Sequence, residues 1–261
     1  MKRLVSKVKR KVQPRVDIEP PPMQIGSPSD LILQVPRPRL DANGVPIQAT
    51  DHEIDRETMR IALTYMSDYL ASKGQTLTVI AVGGAVNILL LGSRLSTHDL
   101  DFMGTHLNND QRVAIDEAAH FAERQCSKPL GSQWFNNETQ MWLSPPVHRQ
   151  ITEQALQQNE IVFEKHGLRI VAAPWIYALA SKTHRLARDR RAEQMARARP
   201  YDVTDAATYL RKYVQQNGGQ AQSRASVQAR CVEFGFRVDD VDLQTVNAEY
   251  RRLYRADGLV A

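Results

Sequence analysis

Apolar and polar positions fall into a helical period and a strand period that alternate along most of the chain. Met59, Ala62, Met66 and Tyr69 form a stripe at helical spacing, which predicts a helix over Glu53 to Ser72, with Gly74 as its stop. Leu77 to Val82 is short, apolar and β-branched, the pattern of a buried strand. Gly83-Gly84 follows it, and Ala85 to Leu91 predicts one or two turns of helix. In Asp99-Leu100-Asp101-Phe102 the alternation returns: a strand there turns Leu100 and Phe102 inward and both aspartates to the other face.

The second half continues the alternation and then becomes helical. Asn109 or Asp110 is placed to cap a helix through Arg124 that buries Ala114, Ala118, Phe121 and Ala122. Residues 130–145 are aromatic and strand-like, and a helix is expected around Val147 to Gln157. Ile161 to Phe163 and Leu168 to Ala172 predict a hairpin with Gly167 in its turn. Pro174 then opens a helix burying Trp175, Ala178, Leu179 and Leu186, followed by helices over Val203 to Val214, Ser223 to Glu233 and Leu243 to Tyr254. The fold class is α+β, with an α/β core over residues 51–173 and a helical C-terminal part over 174–261.

Composition changes the picture mainly at the N-terminus. Residues 1–16 carry seven Lys or Arg and no acid, and eight of the thirteen prolines fall between Gln13 and Thr50, so residues 1–50 are expected to be a basic, then proline-rich, extended or disordered tail. The basic stretch has three readings: a solvated tail, a targeting segment, or a nuclear-import or nucleic-acid patch. Two cysteines give neither a disulfide framework nor metal-ligand spacing, which fits a reducing, cytoplasmic setting, with nuclear or mitochondrial placement open from the basic end. The longest apolar run, Thr78 to Gly92, is too short to span a membrane.

Two features carry candidate chemistry. Glycines at a strand-to-helix junction let a phosphate approach the backbone, although Gly-Gly is equally the composition of a tight turn. Two carboxylates on one strand face can hold Mg²⁺ while leaving positions for water and phosphate oxygens, although acidic alternation also describes an exposed strand. Arg185, Arg188, Arg190, Arg191, Arg197 and Arg199 add a basic run that suits phosphate or nucleic acid, or a solvated connection.

Taken together, Gly83-Gly84, Gly92-Ser93-Arg94-Leu95-Ser96-Thr97 and Asp99-Leu100-Asp101 resemble the signature of the nucleotidyltransferase superfamily typified by DNA polymerase beta. The resemblance is nearest to the branch holding abortive-infection toxins and uncharacterised fungal nucleotidyltransferase-like proteins. It implies a mixed sheet flanked by helices, a nucleoside triphosphate substrate, Mg²⁺, and transfer of a nucleoside monophosphate to a protein, RNA or small-molecule acceptor. It further implies that Asp99 and Asp101 are catalytic metal ligands and that Gly83, Gly84, Arg94, Ser96 and Lys182 contact the nucleotide. A third carboxylate is expected from a later strand, with Glu138 the first candidate and Glu164 the second, while Asn136 and Asn137 stand where an acid is expected. Tyr201 replaces the lysine of a later K-D-x-x-D-like element, so Asp202 is equally read as a helix cap and Asp205 as an arginine's partner. The alternative to an enzyme is a nucleotide- or nucleic-acid-binding module on the same fold.

Overall fold

The structure is a computed structural model that describes residues 52–191 and 199–261. The basic stretch, the proline-rich segment and Arg197 lie outside the described residues.

Helix α1 (Arg56–Ser72) follows a two-residue strand, β1 (Ile54–Asp55), whose Asp55 carboxylate accepts the Thr58 backbone N–H and so caps the helix. The stripe expected from the sequence is its buried face: Met59, Ala62 and Met66 are fully enclosed. The chain then enters β2 (Leu77–Val82), a short helix α2 (Gly84–Val86) continuing as a π-helical turn over Asn87–Leu91, and β3 (Ser96–Thr97), which pairs with β1. Strand β4 (Leu100–Gly104), helix α3 (Asn109–Gln125) and strand β5 (Phe135–Asn136) complete the first half. Asn108 caps α3 through a reciprocal pair of bonds with Gln111, one residue before the expected cap.

Residues 130–145 depart from expectation. Only β5 pairs as a strand, and Glu138–Trp142 form a 3-10 helix. The aromatic run misleads because Trp134 is buried for packing, its ring N–H donating to the Ala119 carbonyl of α3, rather than for strand alternation. Helix α4 (Pro145–Gln158) leads to the hairpin β6 (Ile161–Lys165) and β7 (Leu168–Ala172).

Five strands form one mixed sheet in the order β5-β4-β2-β7-β6, with β4 antiparallel to β2, and with the pairs β2–β7 and β4–β5 parallel. The register sets Asp101 across from Val82 on one side and from Asn136 on the other. Helices α5 (Trp175–Arg190), α6 (Asp202–Gln216), α7 (Arg224–Glu233) and α8 (Asp240–Tyr254) form the C-terminal part, closed by β8 (Gln222–Ser223) pairing with β9 (Leu259–Val260). α5 packs along α6, and one continuous apolar core joins these helices to the sheet. Among the described residues, no helix is long and apolar enough to cross a membrane.

Candidate functional site

Strand β4 delivers Asp101 to the middle of the sheet's end, and Asp99 stands one residue before the strand. The alternation places them as expected: Leu100 and Phe102 are buried while both aspartates are half-buried. Gly83 adopts φ 74° and ψ −141°, a conformation open to glycine, and a Cβ there would lie 3.5 Å from Asp101 Oδ2. The turn backbone and the carboxylate therefore face one another across van der Waals distance.

Gly84 is glycine for another reason. A Cβ on it would come within 2.1 Å of Thr97 Oγ1, so Thr97 and the Arg94 guanidinium fill the space beside it. The Gly83 carbonyl is held in turn by two groups: Tyr209 Oη donates to it at 2.9 Å and Asn87 Nδ2 at 3.3 Å. Asn87 Nδ2 also donates to Tyr209 Oη at 2.8 Å, and Ser93 Oγ donates to Asn87 Oδ1 at 3.0 Å. This buried network fixes the turn from α6.

The electrostatics of the acidic end are unbalanced. Burial, then the charge of Asp99, push the Asp101 carboxyl up to about 7 from 3.8, with Glu138 adding to the rise. The Asn136 amide, hydrogen-bonded to Asp101, and the charge of Arg185 act against it. The phenol of Tyr177 on α5 is raised by burial and by Asp101. Glu138 opens the 3-10 helix, its N–H donating to Asn136 Oδ1 at 3.1 Å, so it reaches this end of the sheet from a turn rather than from a strand. Glu164 is exposed on the far edge strand β6 and pairs with Arg169, away from β4. His98 is exposed in the bend before Asp99.

The basic residues of the expected site divide differently. Arg94 makes a two-pronged ion pair to Asp205, Nε to Oδ1 at 2.9 Å and Nη2 to Oδ2, with the Tyr201 ring stacked 3.5 Å from its guanidinium carbon. Lys182 is buried between Asp202 at 2.7 Å and Asp205 at 3.1 Å. Asp205 is thus the arginine partner read from the sequence, whereas Asp202 is no cap: Tyr201 stands at that position and Asp202 neutralises Lys182. Burial opposes ionisation of Asp202, yet Lys182 holds its carboxyl below the usual range. Ser96 donates to Glu53 at 3.3 Å, turned to β1 rather than to the aspartates.

Whether this end fits Mg²⁺ is answered by its donors. Among the described residues, no three His, Cys, Asp or Glu side chains gather as a metal-holding group. The carboxylates of Asp99 and Asp101 beside the Gly83 turn offer the oxygen donors that suit a hard cation, with its other positions left for water and substrate oxygens.

Sequence reasoning missed Tyr177 and Tyr209, and it marked Asn136 only as standing where an acid is expected. Asn136 becomes legible only through the β4–β5 register, and Tyr177 and Tyr209 resemble ordinary core aromatics on amphipathic helices. A family model described as Domain of unknown function (DUF7582) matches residues 52–257. No curated protein and no solved structure matches the chain.

Proposed function

Since the chain belongs to the DUF7582 family, whose description assigns no chemistry, we propose from the site itself that it is an Mg²⁺-dependent nucleotidyltransferase acting on a nucleoside triphosphate. The observation that carries the proposal is the crowding of Asp99 and Asp101 at the Gly83 turn, where Asp101 is pushed up to about 7 by burial and by its acidic neighbour. A carboxyl raised in this way at the end of a sheet marks a candidate functional site. The resemblance of residues 83–101 to nucleotidyltransferases supports the same reading.

Asp99 and Asp101 are the residues that would hold Mg²⁺, and the ion would supply charge neutralisation at the phosphoryl group and at the attacking hydroxyl. The chain's own groups do the rest. The Gly83 turn admits a phosphate close to its backbone, and Tyr209 and Asn87 keep that turn in place through its carbonyl. Asn136 orients Asp101 across the strand pair. Glu138 is the nearest further carboxylate and is the candidate to take the acceptor's proton. Gly84, Arg94 and Lys182 serve behind the site, where the two cations tie to the carboxylates of α6, and Ser96 turns to Glu53 beside β1.

One observation favours a second reading, a nucleotide-binding module without turnover. The residue in register with Asp101 on β5 is Asn136, an amide where a further carboxylate would complete the acidic set. The acceptor is read as protein, RNA or a small molecule in the first case, and is absent in the second.

The test is pyrophosphate release and label transfer with each nucleoside triphosphate and Mg²⁺, comparing the full chain with Asp101→Ala. Release by the wild type that disappears in the variant is the expected result. Release at equal rate in both would overturn the assignment, and Mg²⁺-dependent nucleotide binding without release would select the second reading.

A further inference from the structure

The outer face of α1 carries a groove of about 520 Å³, lined by Arg56, Glu57, Arg60, Ile61, Thr64 and Tyr65. These positions recur in steps of four along one side of the helix, away from the enclosed Met59, Leu63 and Met66. The flank toward α3 is already taken, since the Phe121 ring lies 6.5 Å from Tyr65 and 5.1 Å from Tyr69. On the outer face Ile61 stays 44% exposed and Tyr65 half-buried, and the arginine stems add apolar surface beside them. One helix face is convex and makes only one wall of a groove. The other wall has to be a second piece of polypeptide.

The chain itself supplies a piece within reach. Residues 1–51 lead into this helix, and His52 stands two residues before β1, which runs directly into α1. Ile61 and Tyr65 lie about 8 and 14 Å along the helix axis from Arg56, at a rise of 1.5 Å per residue. The twelve residues from Leu40 to Asp51 span up to about 40 Å when extended, enough to turn back along that face. Within them Val45-Pro46-Ile47 is the apolar stretch nearest to the helix, and Pro46 has no N–H that docking would leave unpaired.

Charge selects the same segment. Between residues 40 and 51 the charged side chains are Asp41 and Asp51, both acidic. Across from them, among the described residues, the guanidiniums of Arg56 and Arg60 close no ion pair. The more apolar run Leu31-Ile32-Leu33 stands beyond Arg37 and Arg39, which the arginines of α1 repel.

We propose that the groove on α1 is the docking site of this chain's own residues 40–47, with Val45 and Ile47 against Ile61 and Tyr65, and Asp41 beside Arg56 and Arg60. The contact is intramolecular, so it forms at any protein concentration. It stands independently of the nucleotide site.

The probe is a nitroxide on Gln48→Cys in the full chain carrying Cys126→Ser, with Cys231 fully buried and out of reach of the label. Nuclear magnetic resonance reads the broadening it causes. The Ile61 methyl and Thr64 amide signals are expected to lose most of their intensity, while Val232, exposed on α7, keeps its own. A segment tethered at His52 without docking would broaden α1 whatever its composition, so variants within the segment decide. Ile47→Asp and Asp41→Arg are each expected to restore the Ile61 signal, and Arg60→Asp added to Asp41→Arg is expected to remove it again by re-forming the charge pair with reversed sign. Ile61 broadening that is absent from the start, or that Ile47→Asp leaves unchanged, would overturn the proposal. A mixture of nitroxide-bearing chain with isotope-labelled chain lacking the nitroxide tests for a second copy. Broadening of Ile61 in that mixture would assign the groove to another chain's segment and overturn the intramolecular contact.

Discussion

The molecule contains two acidic pairs of nearly the same composition, and their surroundings treat them in opposite ways. Asp202 and Asp205 are almost wholly buried, yet Lys182 and Arg94 meet them at hydrogen-bonding distance and the carboxyl of Asp202 is held low. Asp99 and Asp101 are less enclosed, yet Asp101 is driven up to about 7 because burial and a like charge outweigh the Asn136 amide and the more remote Arg185. Paired charge joins α5 and α6 to the loop after α2. At Asp101 burial and the charge of Asp99 make ionisation costly, so this carboxylate does not stabilise the fold as Asp202 does. The difference lies in the partner, since D-x-D and D-x-x-D offer the same functional group.

The comparison breaks most visibly at the paired end. Lys182→Met would leave Asp202 and Asp205 buried with one cation fewer, and loss of one partner from a buried ion pair typically costs about 3–5 kcal/mol. A melting point lowered by about 10 °C or more at pH 7 is expected. Because the folded-state Asp202 carboxyl lies below its unfolded value, the stabilisation from this pair is present above about pH 4 and is lost as pH falls through the folded-state value. A melt of Lys182→Met that matches the wild type would show that the pair is not structural.

The crowded end should respond with the opposite sign. Asp101→Asn removes a carboxylate that the folded state holds at a cost, so the protein without metal is expected to gain on the order of 1–3 kcal/mol at pH 8. For a raised carboxyl the folded form binds the extra proton, so stability falls as pH climbs from about 4 to about 7 and stays low above. The advantage of Asp101→Asn should therefore shrink as pH is lowered through that window. Denaturant titrations at pH 5 and pH 8 check it, and a variant less stable than the wild type at pH 8 would mean that Asp101 is compensated after all.

Much of the fold was legible because local and global preferences agree. Leu77–Val82 is the strand that its β-branched run predicts, and the stripes at Met59–Met66 and Ala114–Ala122 are buried as their spacing requires. The failures are tertiary. Asn87–Leu91 winds as a π-turn, and the Asn87 side chain at its start bonds to Gly83 and to Tyr209, a partner on a helix more than a hundred residues away. The sequence offers Arg94 and Lys182 as cations for a nucleotide, yet their carboxylate partners lie on α6, and no local pattern shows whether a lysine faces a ligand or a buried aspartate. Asn136 gains meaning only from standing across from Asp101.

Tyr209 lies where the two regions meet, which makes it the finest test of their separation. Its ring belongs to the paired side, fully buried against Trp175 with a ring separation of 6.1 Å, and burial raises its phenol well above the ordinary value. Its hydroxyl belongs to the other side, donating to the Gly83 carbonyl beside Asp101. Tyr209→Phe keeps the ring and deletes that bond, while Asn87 Nδ2 still reaches the same carbonyl at 3.3 Å. Stability should therefore fall by only about 1 kcal/mol, the net value of one hydrogen bond. If the turn positions a nucleotide, affinity for Mg²⁺·ATP should drop severalfold more than that loss of stability explains. An Mg²⁺·ATP affinity unchanged in Tyr209→Phe would mean that the bond from Tyr209 to Gly83 serves the fold alone.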